Sequence, residues 1–278
     1  MNDIITERLG DNSRSSEGFT LQLVVYRTIF EKAFTCVTFT IAFFGFVGNL
    51  ATIGKIVRDP KFHTPTFAAI GLLALADFLS VTFFSLVKLT NLLMLWRFFG
   101  RIRSISIFSS YFHVCLLSAV RYLITVHPLQ SRQHLTVTAV CLCSLTIWIS
   151  SGITDTLIRL IQLNTDDSNL VVALVINIFI PLTVCSIIIL LHIKKIRTLR
   201  SSLSVTDQAQ RRMNIVVTVI TSIFVLFHLT IIVMNTVILI DAYAYFGFLI
   251  QCIYYFCVFM GFVNFSCNPY ILFLSQFF

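Results

Sequence analysis

Side chains able to bind, pair or switch stand in this chain where apolar surroundings least tolerate them. Asp77 lies in the middle of "LLALADFLS", Asn49 in "FVGNLATI", and Asn264 and Asn268 one helical turn apart in "NFSCNPY". Arg103, Ile107, Ser110, Val114, Leu117 and Arg121 follow in steps of three and four. On a helix they share one face, with a hydroxyl at mid-length and an arginine at each end. An aspartate, a serine and asparagines at similar depth could hold a small cation through oxygen ligands, or form a proton-dependent polar core. They could equally tie helices together through hydrogen bonds worth about 1 kcal/mol or less each. Arg121 and Tyr122, in "SAVRYLITVHPL", close an apolar run with no acid beside them.

The elements that must carry these residues follow from composition. Of 278 residues, 57% are hydrophobic and 12% charged, which excludes a soluble architecture and points to a membrane protein. A net charge of +8 could suit nucleic acid, but the lysines and arginines cluster between apolar runs, as in loops facing cytoplasm. No nucleic-acid module is present, and nucleic acid is not an expected partner. Seven runs are long enough to span a bilayer as helices, roughly Ala33–Val57, Thr66–Leu93, Ile102–Val126, Leu135–Leu160, Leu170–Ile193, Asn214–Ile240 and Phe246–Leu274. The links after the first, third and fifth hold Lys55, Arg58, Lys61, Arg121, Arg132, Lys194, Lys195, Arg197, Arg200, Arg211 and Arg212. That side is expected in the cytoplasm and the N-terminus outside. The first 28 residues are polar and mixed in charge, without the pattern of a signal peptide, so the first span is expected to direct insertion.

The eight cysteines fall inside apolar segments and show no disulfide framework or metal spacing; they read as buried small hydrophobes. His63, His113, His127, His134, His192 and His228 are scattered, and no nucleophile, base and orienting group share a usable spacing. An enzyme is not expected. No internal repeat supports a transporter built from inverted halves.

Taken in order, these residues resemble the landmarks of the rhodopsin-like (class A) G protein-coupled receptors over nearly the whole chain. "GNLATI" is similar to the first-helix asparagine motif and "LALADFL" to the second-helix aspartate motif. Trp148 in "TIWISSG", Pro181 in "NIFIPLT", Phe224 in "FVLFHLTIIV" and Pro269 in "NPYIL" match the fourth-helix tryptophan, fifth-helix proline, sixth-helix phenylalanine and the start of the NPxxY motif. "VRY" stands where the family carries an acidic-Arg-Tyr triplet, and "WRFFG", Trp96 to Gly100, resembles the motif of the first outer loop. "HTPTFAAIGLLALADFLS" and "HPLQSRQHLT" resemble divergent invertebrate lineages, the orphan chemosensory and FMRFamide-receptor-like receptors.

The resemblance implies an all-α, rhodopsin-like seven-transmembrane bundle over residues 29–278, with residues 1–28 as an extracellular tail, multi-pass in the plasma membrane. It implies an extracellular ligand, a heterotrimeric G protein coupled through Arg121 and Tyr122, and no cofactor beyond an allosteric sodium ion at Asp77, Ser110, Asn264 and Asn268, with Asn49 in the same polar core. Several positions depart from the pattern. Val120 replaces the acid beside Arg121, and Gln210 a second acid on helix six, so Arg121 is expected to lack both restraints and to snorkel. His228 replaces the toggle tryptophan, Thr230 the kink proline, Leu272 and Ile189 two tyrosines, and Trp96 the cysteine of the outer disulfide. These losses leave a non-signalling decoy or trafficking partner as an alternative to a receptor, and a transporter or channel as a third reading.

By the same resemblance Arg103, Asn177, His228, Asn235 and Tyr254 are ligand-pocket candidates. Arg103 excludes a biogenic amine and, with Lys88 and Arg101, suits a carboxylate or phosphate; it lies about 27 Å along the helix from Arg121, near enough to the outer edge to snorkel instead. His228 is either a sensor or a neutral, hydrogen-bonded histidine. A short outer link at "QLNTDDSN" favours a small ligand, anionic where Arg103 receives it, or a short peptide over a large one. The inner link "KKIRTLRSSLSVTDQAQRRMN" reads as a solvated basic loop facing anionic lipid, able to dock G protein or accept phosphate.

Overall fold

Backbone groups facing hydrocarbon have no water to bond, so a chain this apolar must pair them within helices. The computed structural model describes residues 2–89, 93–163, 167–201, 208–239 and 247–274, with side chains over a slightly shorter range. Among the described residues the order is α1 (Asn2–Arg58), a 3-10 helix (Pro60–Phe62), α2 (Pro65–Leu89), α3 (Leu93–Val126), α4 (Pro128–His134), α5 (Val137–Leu163), α6 (Asp167–Ser201), α7 (Gln208–Leu239) and α8 (Gly247–Leu274). All but the 3-10 helix and α4 are long and apolar enough to cross a membrane. The first membrane-capable helix covers the expected Ala33–Val57 run within Val25–Arg58.

The chain divides into residues 1–41 and residues 42–278. In the first unit Arg27 Nε donates to Glu31 Oε1 at 3.0 Å, an exposed pair of neighbouring turns worth a few tenths of a kcal/mol, about the usual i,i+4 value. In the second unit α3 is the most enclosed span, packing against α2, α5, α6 and α7, while α8 packs against α2 and α7. The face picked out by three- and four-residue steps turns inward on α3: Ser110, Val114, Leu117 and Arg121 are all buried. Large apolar side chains such as Leu142, Leu145, Ile149 and Phe179 point outward, the arrangement a lipid solvent favours.

Small residues let α1 approach α8. A Cβ at Gly45 would come within 2.7 Å of Ser266 Cβ, and one at Gly48 within 3.1 Å of Pro269 Cβ. Here the sequence supplies its own repair. Pro269 has no N–H to donate to the carbonyl four residues earlier, that of Phe265, and Asn49 Nδ2 donates to that oxygen at 2.9 Å. Tyr270 adds a second tie, its hydroxyl donating to Phe44 O at 2.8 Å.

All eight cysteines are free thiols, but only Cys185 and Cys257 are buried. Cys36, Cys141, Cys143 and Cys252 are exposed, so the expectation of buried small hydrophobes holds for a minority. On helices in lipid, an apolar side chain has no reason to turn inward.

Candidate functional site

A polar seam runs along α3. At mid-length, Ser110 Oγ donates to Asp77 Oδ1 at 2.5 Å and Asn268 Nδ2 donates to Asp77 Oδ2 at 2.7 Å, joining α2, α3 and α8 around one carboxylate. All three residues are buried. Asn264 is buried nearby in sequence, but its Nδ2 has no hydrogen-bond partner among the described residues, and Asn49 is engaged with the Phe265 carbonyl. Asp77, Ser110 and Asn268 therefore come together, while no hydrogen bond among the described residues links Asn264 or Asn49 to the carboxylate. One carboxylate with hydroxyl and amide oxygens is a hard-donor set of the kind that suits a small cation. No group of three or more His, Cys, Asp or Glu that could hold a metal ion occurs among the described residues.

At one end of the seam, the expectation of an unrestrained, snorkelling Arg121 is overturned. Its side chain is 5% exposed, and Nη2 donates to Asn214 Oδ1 on α7 at 2.9 Å. An amide takes the part the missing acids left open, because it can enter an apolar bundle without the desolvation cost of a carboxylate. The side chain of Gln210, the position expected to matter, lies outside the described residues, as do those of Trp96, Arg211 and Arg212. Tyr122 is half-buried, its ring 5.9 Å from that of His127. Lys195 is a second surprise. Lys194 and Arg197 are exposed as a solvated basic run should be, but Lys195 turns into the bundle at 3% exposure and interacts electrostatically with Arg121.

Toward the other end an aromatic plug fills the interior. His228 is fully buried, its ring centroid 3.9 Å from Phe224, 4.2 Å from Tyr111 and 5.1 Å from Phe227. Its Nδ1–H donates to Phe224 O at 2.8 Å, which leaves Nε2 as an acceptor with no donor among the described residues. Beyond it Arg103 lies over the ring of Phe84 at 5.1 Å, and Phe84 meets Phe262 edge-on at 4.7 Å. Arg103 Nε is buried without a hydrogen-bond partner among the described residues, and Tyr254 and Arg159 act on the guanidinium electrostatically. The Arg103 guanidinium thus faces an aromatic ring inside the bundle. Asn235 is buried on α7 and Asn177 half-buried on α6, whereas Tyr254 is 46% exposed, its ring beside Tyr255.

Two polar links were missed by reading residues singly. His113 Nδ1–H donates to Ser109 O at 2.7 Å, and Nε2 accepts from Ser144 Oγ at 2.8 Å, pinning α3 to α5 beside Trp148. Asp155 is buried and accepts from Arg159 Nε at 2.9 Å. Asn214 could have been found: Asn214, Val217, Thr221, Phe224 and His228 continue in steps of three and four, and all five are buried. Pro181 and Pro269 lie inside α6 and α8, as placed from the motifs.

A cavity of about 290 Å³ opens between α1, the 3-10 helix, the start of α2 and α8, lined among others by Val47, Ala51, Lys55, Phe62, Phe67 and Phe273; none of the ligand-pocket candidates borders it.

Seven membrane-capable helices with α3 enclosed, a buried carboxylate tied to α3 and α8, and a proline inside α8 whose freed carbonyl is bonded from α1 suit a membrane receptor bundle. The family model for the 7 transmembrane receptor (rhodopsin family) matches residues 48–272, most of the chain. The chain belongs to the rhodopsin family of seven-transmembrane receptors, and is a multi-pass membrane protein.

Proposed function

We propose that this receptor couples an extracellular small ligand or short peptide to a heterotrimeric G protein, with the end of the bundle that carries Arg121 and Lys195 facing the cytoplasm of the plasma membrane. Residues 1–28 then precede the bundle as an outside tail. The observation that carries the reading is the Arg121–Asn214 bond, because it ties α3 to α7 across the inner end, the place where separating two helices would expose a docking surface. A ligand at the other end would act by its different affinity for tied and untied states. Tyr122 would lie beside the same surface.

Arg103 supports an anionic group on the ligand. Its Nε is buried without a hydrogen-bond partner among the described residues, and its guanidinium lies over the Phe84 ring, which offers no oxygen acceptor. His228, Asn235, Asn177 and Tyr254 would line or border that region. Asp77, Ser110 and Asn268 would hold sodium, with Asn264 completing the set; bound there, the ion would balance the carboxylate charge between α2, α3 and α8. The function is signalling and not catalysis.

The deciding experiment is basal nucleotide exchange on a mixed G protein panel, comparing the wild-type chain with Arg121→Ala at equal surface level. Exchange that falls in the variant supports coupling through Arg121. Exchange that persists unchanged in the variant removes Arg121 from the coupling surface. Normal surface folding without exchange under any tested ligand favours the decoy reading, which the replacements Thr230 and Leu272 motivate.

A further inference from the structure

We propose that the cavity between α1 and α8 seats one acyl chain of an anionic phospholipid, whose phosphate is held at the rim by Lys55. The cavity measures about 290 Å³, whereas pockets that enclose a whole ligand commonly measure about 300–1,000 Å³, so a segment of chain suits it. Val47, Ala51, Ile56, Phe67, Leu272 and Phe273 give it apolar walls. The two hydroxyls that line it donate to backbone carbonyls: Thr52 to Gly48 O at 3.0 Å and Tyr270 to Phe44 O at 2.8 Å. A buried water needs about two to four polar partners, which walls of this composition do not offer, whereas a methylene chain gains dispersion contacts with all of them.

Charge at the rim selects the kind of lipid. Lys55 is the one charged side chain among the described residues lining the cavity. Its ammonium stands 5.2 Å from the ring centroid of Phe62 and 5.8 Å from that of Phe273, so rings on the 3-10 helix and on α8 hold the cation at the opening. Lys55 is exposed, and a headgroup reaches it without any helix moving. Arg58 and Lys61 are exposed next along the chain, while the acid between them, Asp59, caps the backbone N–H of Lys61 at 3.0 Å. A basic rim of this kind favours a lipid of net negative charge over a zwitterionic one by about fivefold per lysine or arginine. With Lys55 at the end proposed to face the cytoplasm, the anionic leaflet supplies that lipid. Occupancy also bears on the polar core: Thr52, Pro269 and Leu272 border both this cavity and a smaller one lined by Asn49 and Asn268, whose amide donates to Asp77.

The test is native mass spectrometry of the full chain in detergent micelles, titrated separately with palmitoyl-oleoyl phosphatidylserine and palmitoyl-oleoyl phosphatidylcholine. The first phosphatidylserine should bind about fivefold more tightly than the first phosphatidylcholine. That preference should vanish in Lys55→Gln and survive in Arg132→Gln, which removes an exposed charge on the same side but outside the cavity. Ala51→Phe, which places a ring in the cavity and keeps Lys55, should abolish the tight first binding of both lipids. If Ala51→Phe does not fold, Ala51→Leu serves the same purpose. Equal affinity for the two lipids in the wild-type chain, a full preference in Lys55→Gln, or an equal loss in Arg132→Gln overturns the headgroup contact in favour of general surface charge. Unchanged first binding in a folded Ala51 variant overturns the seat of the chain. A lipid-free dimer that the Ala51 variant converts to monomer gives the cavity to a second copy instead. Neither receptor ligand nor G protein enters the assay, so its failure leaves the coupling proposal standing, and a silent exchange assay leaves this one standing.

Discussion

Replacing Asn214 by leucine should loosen the inner end of the bundle without disturbing its core. The perturbation removes one acceptor, Oδ1, which lies 2.9 Å from Arg121 Nη2, and keeps a side chain of similar volume in a buried position. A hydrogen bond to a charged group contributes about 1.5–3 kcal/mol. If the bond exists only while α3 and α7 are together, its loss shifts the closed-to-open equilibrium by about tenfold to a hundredfold. Part of that gain is offset because leucine favours an apolar interior, so the lower half of the range is expected. Two assays read it. Basal nucleotide exchange at matched surface level should rise in Asn214→Leu and fall to background in Asn214→Leu combined with Arg121→Ala. Spin labels at Leu123 on α3 and Ile215 on α7, both exposed, should report a wider separation in the variant, measured in a background without the exposed cysteines Cys36, Cys141, Cys143 and Cys252. An unchanged label separation in a folded variant would refute the tether whatever the exchange assay shows.

Further outcomes follow from the other contacts. Exchanging sodium for choline should lower the melting temperature of the wild-type chain and leave Asp77→Asn unaffected; an equal sodium response in the two removes the cation reading. Asn49→Leu should cost about 1–3 kcal/mol, because the Phe265 carbonyl then loses both its proline-denied partner and its substitute. Thermal unfolding in micelles checks this, and a melting temperature equal to wild type would show that the carbonyl finds another donor. Val120→Asp should lower basal exchange by adding a counter-charge beside Arg121 to the Asn214 bond; equal or higher exchange at matched surface level counts against it.

Much of the architecture was legible from residue order because lipid imposes one rule on every span. Twenty or so apolar residues must form a helix, and positive charges between them set a side. The inward faces could also be read, since a buried polar residue in an apolar helix marks the enclosed side. Steps of three and four predicted Ser110, Val114, Leu117 and Arg121 on one face of α3, and they are all buried. Asp77, Ser110 and Asn268 were selected by type and depth, and the fold brings them within hydrogen-bonding distance.

What periodicity does not contain is the rotation of one helix against another. That Arg121 meets Asn214, that Lys195 and not Lys194 turns inward, that Asn49 repairs the carbonyl left by Pro269 while Asn264 Nδ2 has no hydrogen-bond partner among the described residues, all depend on which faces are opposed and at what depth. Lipid tails are as apolar as leucine, so hydrophobicity alone does not choose those faces. They are chosen by small residues such as Gly45 and Gly48 that admit a neighbour, and by polar groups that need one. The sequence by itself therefore determined seven spans, their inward stripes and the family they resemble. Tertiary packing decided the pairs, because an orphaned donor or carbonyl in hydrocarbon is costly enough to select its partner from across the bundle.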